Sequence, residues 1–220
     1  MMNNRTIQIR DEQFENIFKN ANENIRIHPD VKNFFNGIFF FLAINRRIEI
    51  KTELSQRSVS INVVSLFLIE SLQALVNGGV FSSLFALRAA EDSFIKFLGE
   101  LNNIQFESRD FSGRRKQLEN SLENFDLMML HQNYGEISKI FHQSESEDVP
   151  EVYLSTLMET TLTDKNLAIL TNGIKQINLF IVNQYSTWMR EWDITPIEDL
   201  LKLTFSNTKT SRLIKQIKQK

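Results

Sequence analysis

The chain has 220 residues, of which 42% are hydrophobic and 24% charged, with a formal net charge of -2 at pH 7. This composition excludes wholesale disorder, because it supplies enough apolar side chains for a core, and the near-zero charge gives no overall case for nucleic acid or membrane binding. Cysteine is absent, which excludes disulfides, thiolate metal sites and a cysteine nucleophile.

The N-terminal third of the chain predicts two helices. With only 7 glycines and 3 prolines, long helices with few tight turns are expected. Apolar residues at helical spacing indicate a first helix over 11–24. His28-Pro29 interrupts it, and Asp30 caps a second, largely buried helix that ends near residue 47. The polar segment that follows contains RIEIK, which is interpreted as a short extended piece.

A helical hairpin is predicted at the centre of the fold. Its helices cover about 58–77 and 80–103, and Asn77-Gly78-Gly79 between them is the clearest turn signal in the chain. Because the connection is so short, the two helices must be antiparallel neighbours. Both carry long apolar faces, which therefore form the middle of the core.

The C-terminal half predicts further helices and no second domain. They are expected at 114–132, 134–142, 150–162, 165–191 and in a short segment from Thr195. Arg114-Arg115-Lys116 is interpreted as a solvated basic cluster at a helix start, with anion binding as the alternative. Residues 206–220 are interpreted as a mobile basic tail, with contact to RNA, a membrane surface or a partner helix as the alternative. The prediction is one all-α domain, a helical bundle over 1–220.

No membrane span, secretory signal or cofactor is expected. The apolar segments are too short or too often interrupted by polar residues to cross a bilayer, and the N-terminus has no apolar signal region. We therefore expect a cytoplasmic protein. His28, His131 and His142 are far apart in the sequence and have no metal-ligand spacing, so no metal site is predicted.

Two sets of polar residues are candidates for a site. Arg88 and Glu91 lie three apart on the second hairpin helix and share a face among apolar residues. They form either an intrahelical ion pair or a polar pocket inside the bundle. Tyr134, Ser138 and His142 are spaced four apart and line one helical face. They form either a partly buried stripe before a loop or a site whose imidazole acts as acid or base.

Together, the hairpin, LRAAED on its second helix and YGEISKIFH about fifty residues later resemble the HEPN-like superfamily, in particular its uncharacterised bacterial branch. The resemblance covers about 59–143. It implies a bundle of four or more helices, often dimeric. Many members are metal-independent endoribonucleases of bacterial defence systems, whose signature is an arginine four to six residues before a histidine. This chain lacks that signature, since Ile137 stands where the arginine would fall before His142.

Three functions follow from these observations. The first is a HEPN-like protein of a bacterial defence or stress system that acts on RNA, with Arg88, Glu91, Tyr134, Ser138 and His142 as candidate catalytic residues. The second is a non-enzymatic module that binds nucleic acid, a partner protein or a second copy of itself. The third is a bundle that binds an anion or another small molecule through Arg88.

Overall fold

The computed structural model describes residues 4–51, 59–122, 126–145, 162–189 and 194–219. In these ranges the chain forms ten helices and no strand, which confirms the predicted all-α bundle. The helices are α1 (Asn4–Phe18), α2 (Glu23–Arg26), α3 (Pro29–Lys51), α4 (Val59–Val76), α5 (Val80–Leu101), α6 (Phe111–Ser121), α7 (Met128–Glu145), α8 (Asp164–Met189), α9 (Ile194–Thr204) and α10 (Asn207–Gln219).

The predicted hairpin is present as α4 and α5. Gly78 adopts a φ of 82°, which an L side chain rarely tolerates, and the Gly79 amide donates to the Ala74 carbonyl at 2.8 Å. Below the turn, the buried Ser71 hydroxyl donates to the Ser83 carbonyl at 2.7 Å, so that the two helices are also joined by a polar contact. A short loop and a shared apolar face thus fix these helices as antiparallel neighbours.

Helix α8 packs at the centre of the bundle, against α3, α5 and α7. The contact with α3 is close at Gly37, where a Cβ would lie 2.7 Å from a side-chain carbon of Ile174. Large aromatic side chains of the flanking helices fill the core, and Phe18, Phe34, Phe41 and Phe94 are fully buried. The core is therefore continuous across the described helices and leaves α5 and α7 side by side over α8.

Several predicted boundaries are wrong. RIEIK is helical to Lys51, because α3 continues through it. The predicted helix 114–132 is broken at Leu122, which has an extended backbone, and α7 begins at Met128. The reason is local capping: the Glu119 carboxylate accepts the Leu127 amide at 3.0 Å, and Asp126 accepts that of Met128 at 2.9 Å. The predicted helix 150–162 lies largely outside the described residues.

The C-terminal segment forms helix α10, which is docked on the bundle. Leu213 and Ile217 are buried, and Gln216 donates to Asn183 of α8 at 3.2 Å. The segment predicted as a mobile basic tail therefore has a packed apolar side and an exposed basic side. None of the described helices is long and apolar enough to cross a bilayer.

Candidate functional site

Glu91 of α5 is completely buried where α5, α7 and α8 meet. Its Oε1 accepts a hydrogen bond of 2.7 Å from the Asn133 amide of α7. Gly173 of α8 faces this pair, and a Cβ at that position would lie 2.7 Å from Asn133 Nδ2 and 2.8 Å from Glu91 Oε1. The third helix can approach the pair this closely only because residue 173 has no side chain.

Burial decides the charge of Glu91. Desolvation raises the pKa of its carboxyl to about 8, although the Asn133 hydrogen bond and the Arg88 charge act in the opposite direction. Glu91 Oε2 is also buried and has no hydrogen-bond partner among the described residues, which further favours the neutral acid. At neutral pH this carboxyl is therefore protonated.

Arg88 turns away from Glu91 and contacts α7. Its Nε donates to the Ser138 hydroxyl at 3.0 Å, and its guanidinium lies 4.7 Å from the centre of the Tyr134 ring. Ser138 in turn donates to the Tyr134 carbonyl at 2.8 Å. The intrahelical Arg88–Glu91 ion pair is not formed between these two described side chains. Each residue instead makes its own contact with α7, so the alternative of a polar pocket describes the site better.

Four of the five candidate residues thus occupy the α5–α7 contact. Arg88, Tyr134 and Ser138 touch one another, and Glu91 lies one turn further along α5. His142 belongs to α7, but its side chain lies outside the part of the structure that is described. The predicted meeting of Arg88 and His142 therefore stays a prediction.

An aromatic stack attaches α6 to this contact. The rings of Tyr134 and Phe111 are parallel, with centroids 3.8 Å apart and an interplanar angle of 6°. Asp110 caps the start of α6 by accepting the Gly113 amide at 2.7 Å and the Ser108 hydroxyl at 2.8 Å. The cap fixes where α6 begins, and therefore where Phe111 meets Tyr134.

A cleft of about 400 Å³ opens between α5, α6 and α7, and we call it the Arg88 cleft. Its walls include four cations, which are Arg88, Lys96, Arg109 and Arg114, and two carboxylates, which are Asp92 and Asp110. Asp92 forms ion pairs with Arg114 and Lys96, and Asp110 is engaged in the α6 cap. Both carboxylates are thus already occupied, and the cations are in excess.

Phe85 forms an aromatic edge of the Arg88 cleft. Its side chain is 56% exposed, which is unusual for a large apolar residue, and its ring contacts that of Phe141 at a centroid distance of 5.5 Å. Phe85 and Arg88 lie three residues apart on α5 and so share a face. The cleft thus combines a guanidinium with an accessible aromatic ring.

Several residues of the site are not predicted from the sequence, and the solvent exposure of one basic cluster is predicted wrongly. Arg114 and Arg115 were expected to be solvated, but both are buried and paired with Asp92 and Glu119 respectively. Asn133 and Gly173 gave no signal, since an asparagine and a glycine within helices have no distinctive spacing. Arg109, in the connector before α6, was also missed.

No group of three or more histidine and acidic side chains in the described ranges could hold a metal ion. Comparison with known proteins gives no further guide: no family model matches the chain, and no curated protein and no solved structure is similar to it.

The charge of Glu91 gives a testable pH dependence. The carboxyl has a folded pKa near 8 and a pKa near 4.5 in the unfolded chain, so the folded state holds the extra proton between these values. The free energy of unfolding should therefore fall as pH rises from 5 to 8, by up to about 1.4 kcal/mol per pH unit from this group. Glu91→Gln, which is neutral at every pH and keeps an acceptor for Asn133, should lose this dependence.

Urea unfolding of both proteins at several pH values measures this difference. The wild type and Glu91→Gln should have similar stability near pH 5, and the variant should be the more stable one at pH 8. Stability curves that stay parallel across this range would show that Glu91 is not a buried neutral acid.

Proposed function

We propose that the chain is a HEPN-like helical protein of a bacterial defence or stress system that binds single-stranded RNA in the Arg88 cleft without cleaving it. The observation that carries the proposal is the position of Arg88. Ser138 and Tyr134 hold its guanidinium in the wall of a cleft, and no carboxylate pairs with it among the described residues.

Electrostatics support a phosphate ligand. Since Glu91 is neutral at pH 7, it does not cancel the charge of Arg88, whose two Nη groups make no hydrogen bond within the described part of the chain. Arg109 adds an exposed guanidinium, whereas the guanidinium of Arg114 is already engaged by Asp92 and the Arg109 carbonyl. Guanidinium groups bind phosphate oxygens in a bidentate geometry, so this set suits a phosphodiester.

The aromatic edge supports RNA over a simple anion. An exposed ring beside a cation is the arrangement on which an unpaired base stacks while the adjoining phosphate is bound. Phe85 provides the ring and Arg88 the cation, one turn apart on α5. Single-stranded RNA presents splayed bases, whereas a duplex does not, and the proposed ligand is therefore single-stranded.

The described side chains favour binding over cleavage. Cleavage by 2′-OH attack needs a general base within reach of the ribose. Asp92 and Asp110 are engaged in ion pairs and in the cap, and Glu91 is completely buried. The missing arginine before His142 points in the same direction.

Substitution of Arg88 tests the proposal. Arg88→Gln should weaken binding of a fluorescein-labelled single-stranded oligoribonucleotide about tenfold or more, because a charged hydrogen bond to phosphate contributes about 1.5–3 kcal/mol. Fluorescence anisotropy measures the affinity. Lys139→Gln is the matched control: it removes an exposed cation on α7 that forms an ion pair with Glu136, and it should leave the affinity unchanged.

Three further results would contradict the proposal. The first is equal affinity of Arg88→Gln and Lys139→Gln. The second is that inorganic phosphate displaces the labelled RNA at the same concentration as RNA nucleotides do, which would indicate a simple anion site. The third is RNA cleavage by the purified protein that disappears in His142→Ala, which would make the chain a ribonuclease.

An apolar groove between α1, α3 and α4 favours a second candidate function, self-association. The groove has a volume of about 460 Å³ and is lined mainly by apolar side chains, among them Ile17 and Ile69. Leu66, which is 53% exposed, lies one turn before Ile69 on the same side of α4. A protruding leucine beside an apolar groove is self-complementary, so a two-fold dimer could insert Leu66 of each copy into the groove of the other.

Light scattering during gel filtration tests this dimer. The wild type should have twice the monomer mass, and Ile69→Glu should be monomeric, because a charged side chain would be desolvated in the interface. Ile27→Glu is the control, since Ile27 is 70% exposed and lies outside the groove. A monomeric wild type at a concentration of about 100 μM, where stable interfaces are occupied, would contradict the dimer.

A further inference from the structure

The positively charged side chains of helix α10 form a surface that is separate from the Arg88 cleft. The sequence of α10, NTKTSRLIKQIKQ, contains Lys209, Arg212, Lys215 and Lys218 and no acidic residue. All four cations are exposed, whereas Leu213 and Ile217 are buried. With a turn of about 100° per residue, Arg212, Lys215 and Lys218 cover the half of the helix opposite the buried pair, whereas Lys209 lies one turn before Leu213 at the start of the helix.

The basic side borders a second cleft, of about 570 Å³, between α9 and α10. Three cations line this cleft: Lys202 of α9, and Lys215 and Lys218 of α10. Glu198 is the acidic residue of this cleft, and it is already bound to Lys202 at 2.6 Å. Its pKa is lowered by Lys202 and, less strongly, by Lys218, so it is ionised and neutralises one cation only.

We propose that the basic side of α10 is a second nucleic-acid contact, which binds the phosphate backbone without reading the bases. The inference rests on the proposed function for its ligand, RNA, but the surface is a separate one. No aromatic side chain is among the residues that line the cleft, and its lysines act as point charges that attract the phosphates of any sequence, in single strands and in duplexes.

A phosphate backbone fits this surface better than a membrane does. An amphipathic helix binds a bilayer by inserting its apolar side chains, with the basic side at the headgroups. In α10 those apolar side chains, Leu213 and Ile217, are buried against the bundle, so they are occupied. The surface that remains carries Asn207 and Ser211 among the lysines, with the half-buried Ile214 as the apolar side chain in the lining of the cleft.

A triple substitution, Arg212→Gln with Lys215→Gln and Lys218→Gln, tests the inference. Glutamine keeps helix propensity and removes only charge. The control carries the same charge change elsewhere, in Lys19→Gln with Lys139→Gln and Lys165→Gln, all at exposed positions. Anisotropy with a single-stranded and a double-stranded RNA of equal length measures affinity at several salt concentrations, and circular dichroism checks the helix content.

The α10 variant should bind both RNAs about tenfold more weakly. The slope of log affinity against log salt concentration should be shallower by about 2 for the single strand, since each lost phosphate contact removes about 0.7 from it. Lys215→Gln alone should lower the slope by about 0.7, which keeps the test valid if the triple variant unfolds. The control should match the wild type. Arg88→Gln, by contrast, should weaken only the single strand.

Two results would overturn the inference. One is an α10 variant with the same RNA affinity and salt slope as the control, while Arg88→Gln still binds the single strand more weakly. In that case the proposed function would stand, and only the α10 contact would be wrong. The other is an α10 variant that loses binding to phosphatidylserine–phosphatidylcholine vesicles but keeps its RNA affinity, which would make the surface a membrane contact. If the wild type binds neither RNA, the proposed function fails as well.

Discussion

The neutral carboxyl of Glu91 is the interaction on which the rest of the site depends. A carboxylate at this position would be desolvated with one oxygen unpaired, so burial between α5, α7 and α8 favours the protonated form and raises the pKa of the carboxyl to about 8. Glu91 Oε1 accepts the Asn133 amide in either protonation state, and Gly173 lets α8 close over both side chains. A buried polar contact of this kind fixes the register of three helices, which apolar packing alone specifies less strictly.

The same protonation determines the electrostatics of the cleft. If Glu91 were ionised, its charge would offset that of Arg88 one turn away. Because Glu91 is neutral, the charge of Arg88 is not offset. Helix α7 positions the guanidinium through Ser138 and the Tyr134 ring. Arg88 and Glu91 therefore have separate roles and do not form an intrahelical salt bridge: Glu91 joins helices, and Arg88 faces the cleft.

Local signals explain what the sequence predicted correctly. Asn77-Gly78-Gly79 defines the hairpin, because a positive φ and a short loop leave one arrangement of the helices. The sequence grouped Arg88 with Tyr134 and Ser138 as candidate site residues; the three side chains are in contact, and their role in a site stays a prediction. Asn133 and Gly173 were missed, because their roles depend on the register between α5, α7 and α8. Arg114 was judged solvated for the same reason, since its partner Asp92 lies 22 residues earlier on another helix.

The protonation state of Glu91 tests this account most directly. Infrared spectra of the wild type and of Glu91→Gln at pH 6.5 can be subtracted, so that the difference contains the carboxyl of Glu91 and, with opposite sign, the amide of the glutamine. The account predicts the carbonyl band of a protonated carboxylic acid, present in the wild type and absent from the variant. A carboxylate band at that pH, with no band from a protonated acid, would contradict it.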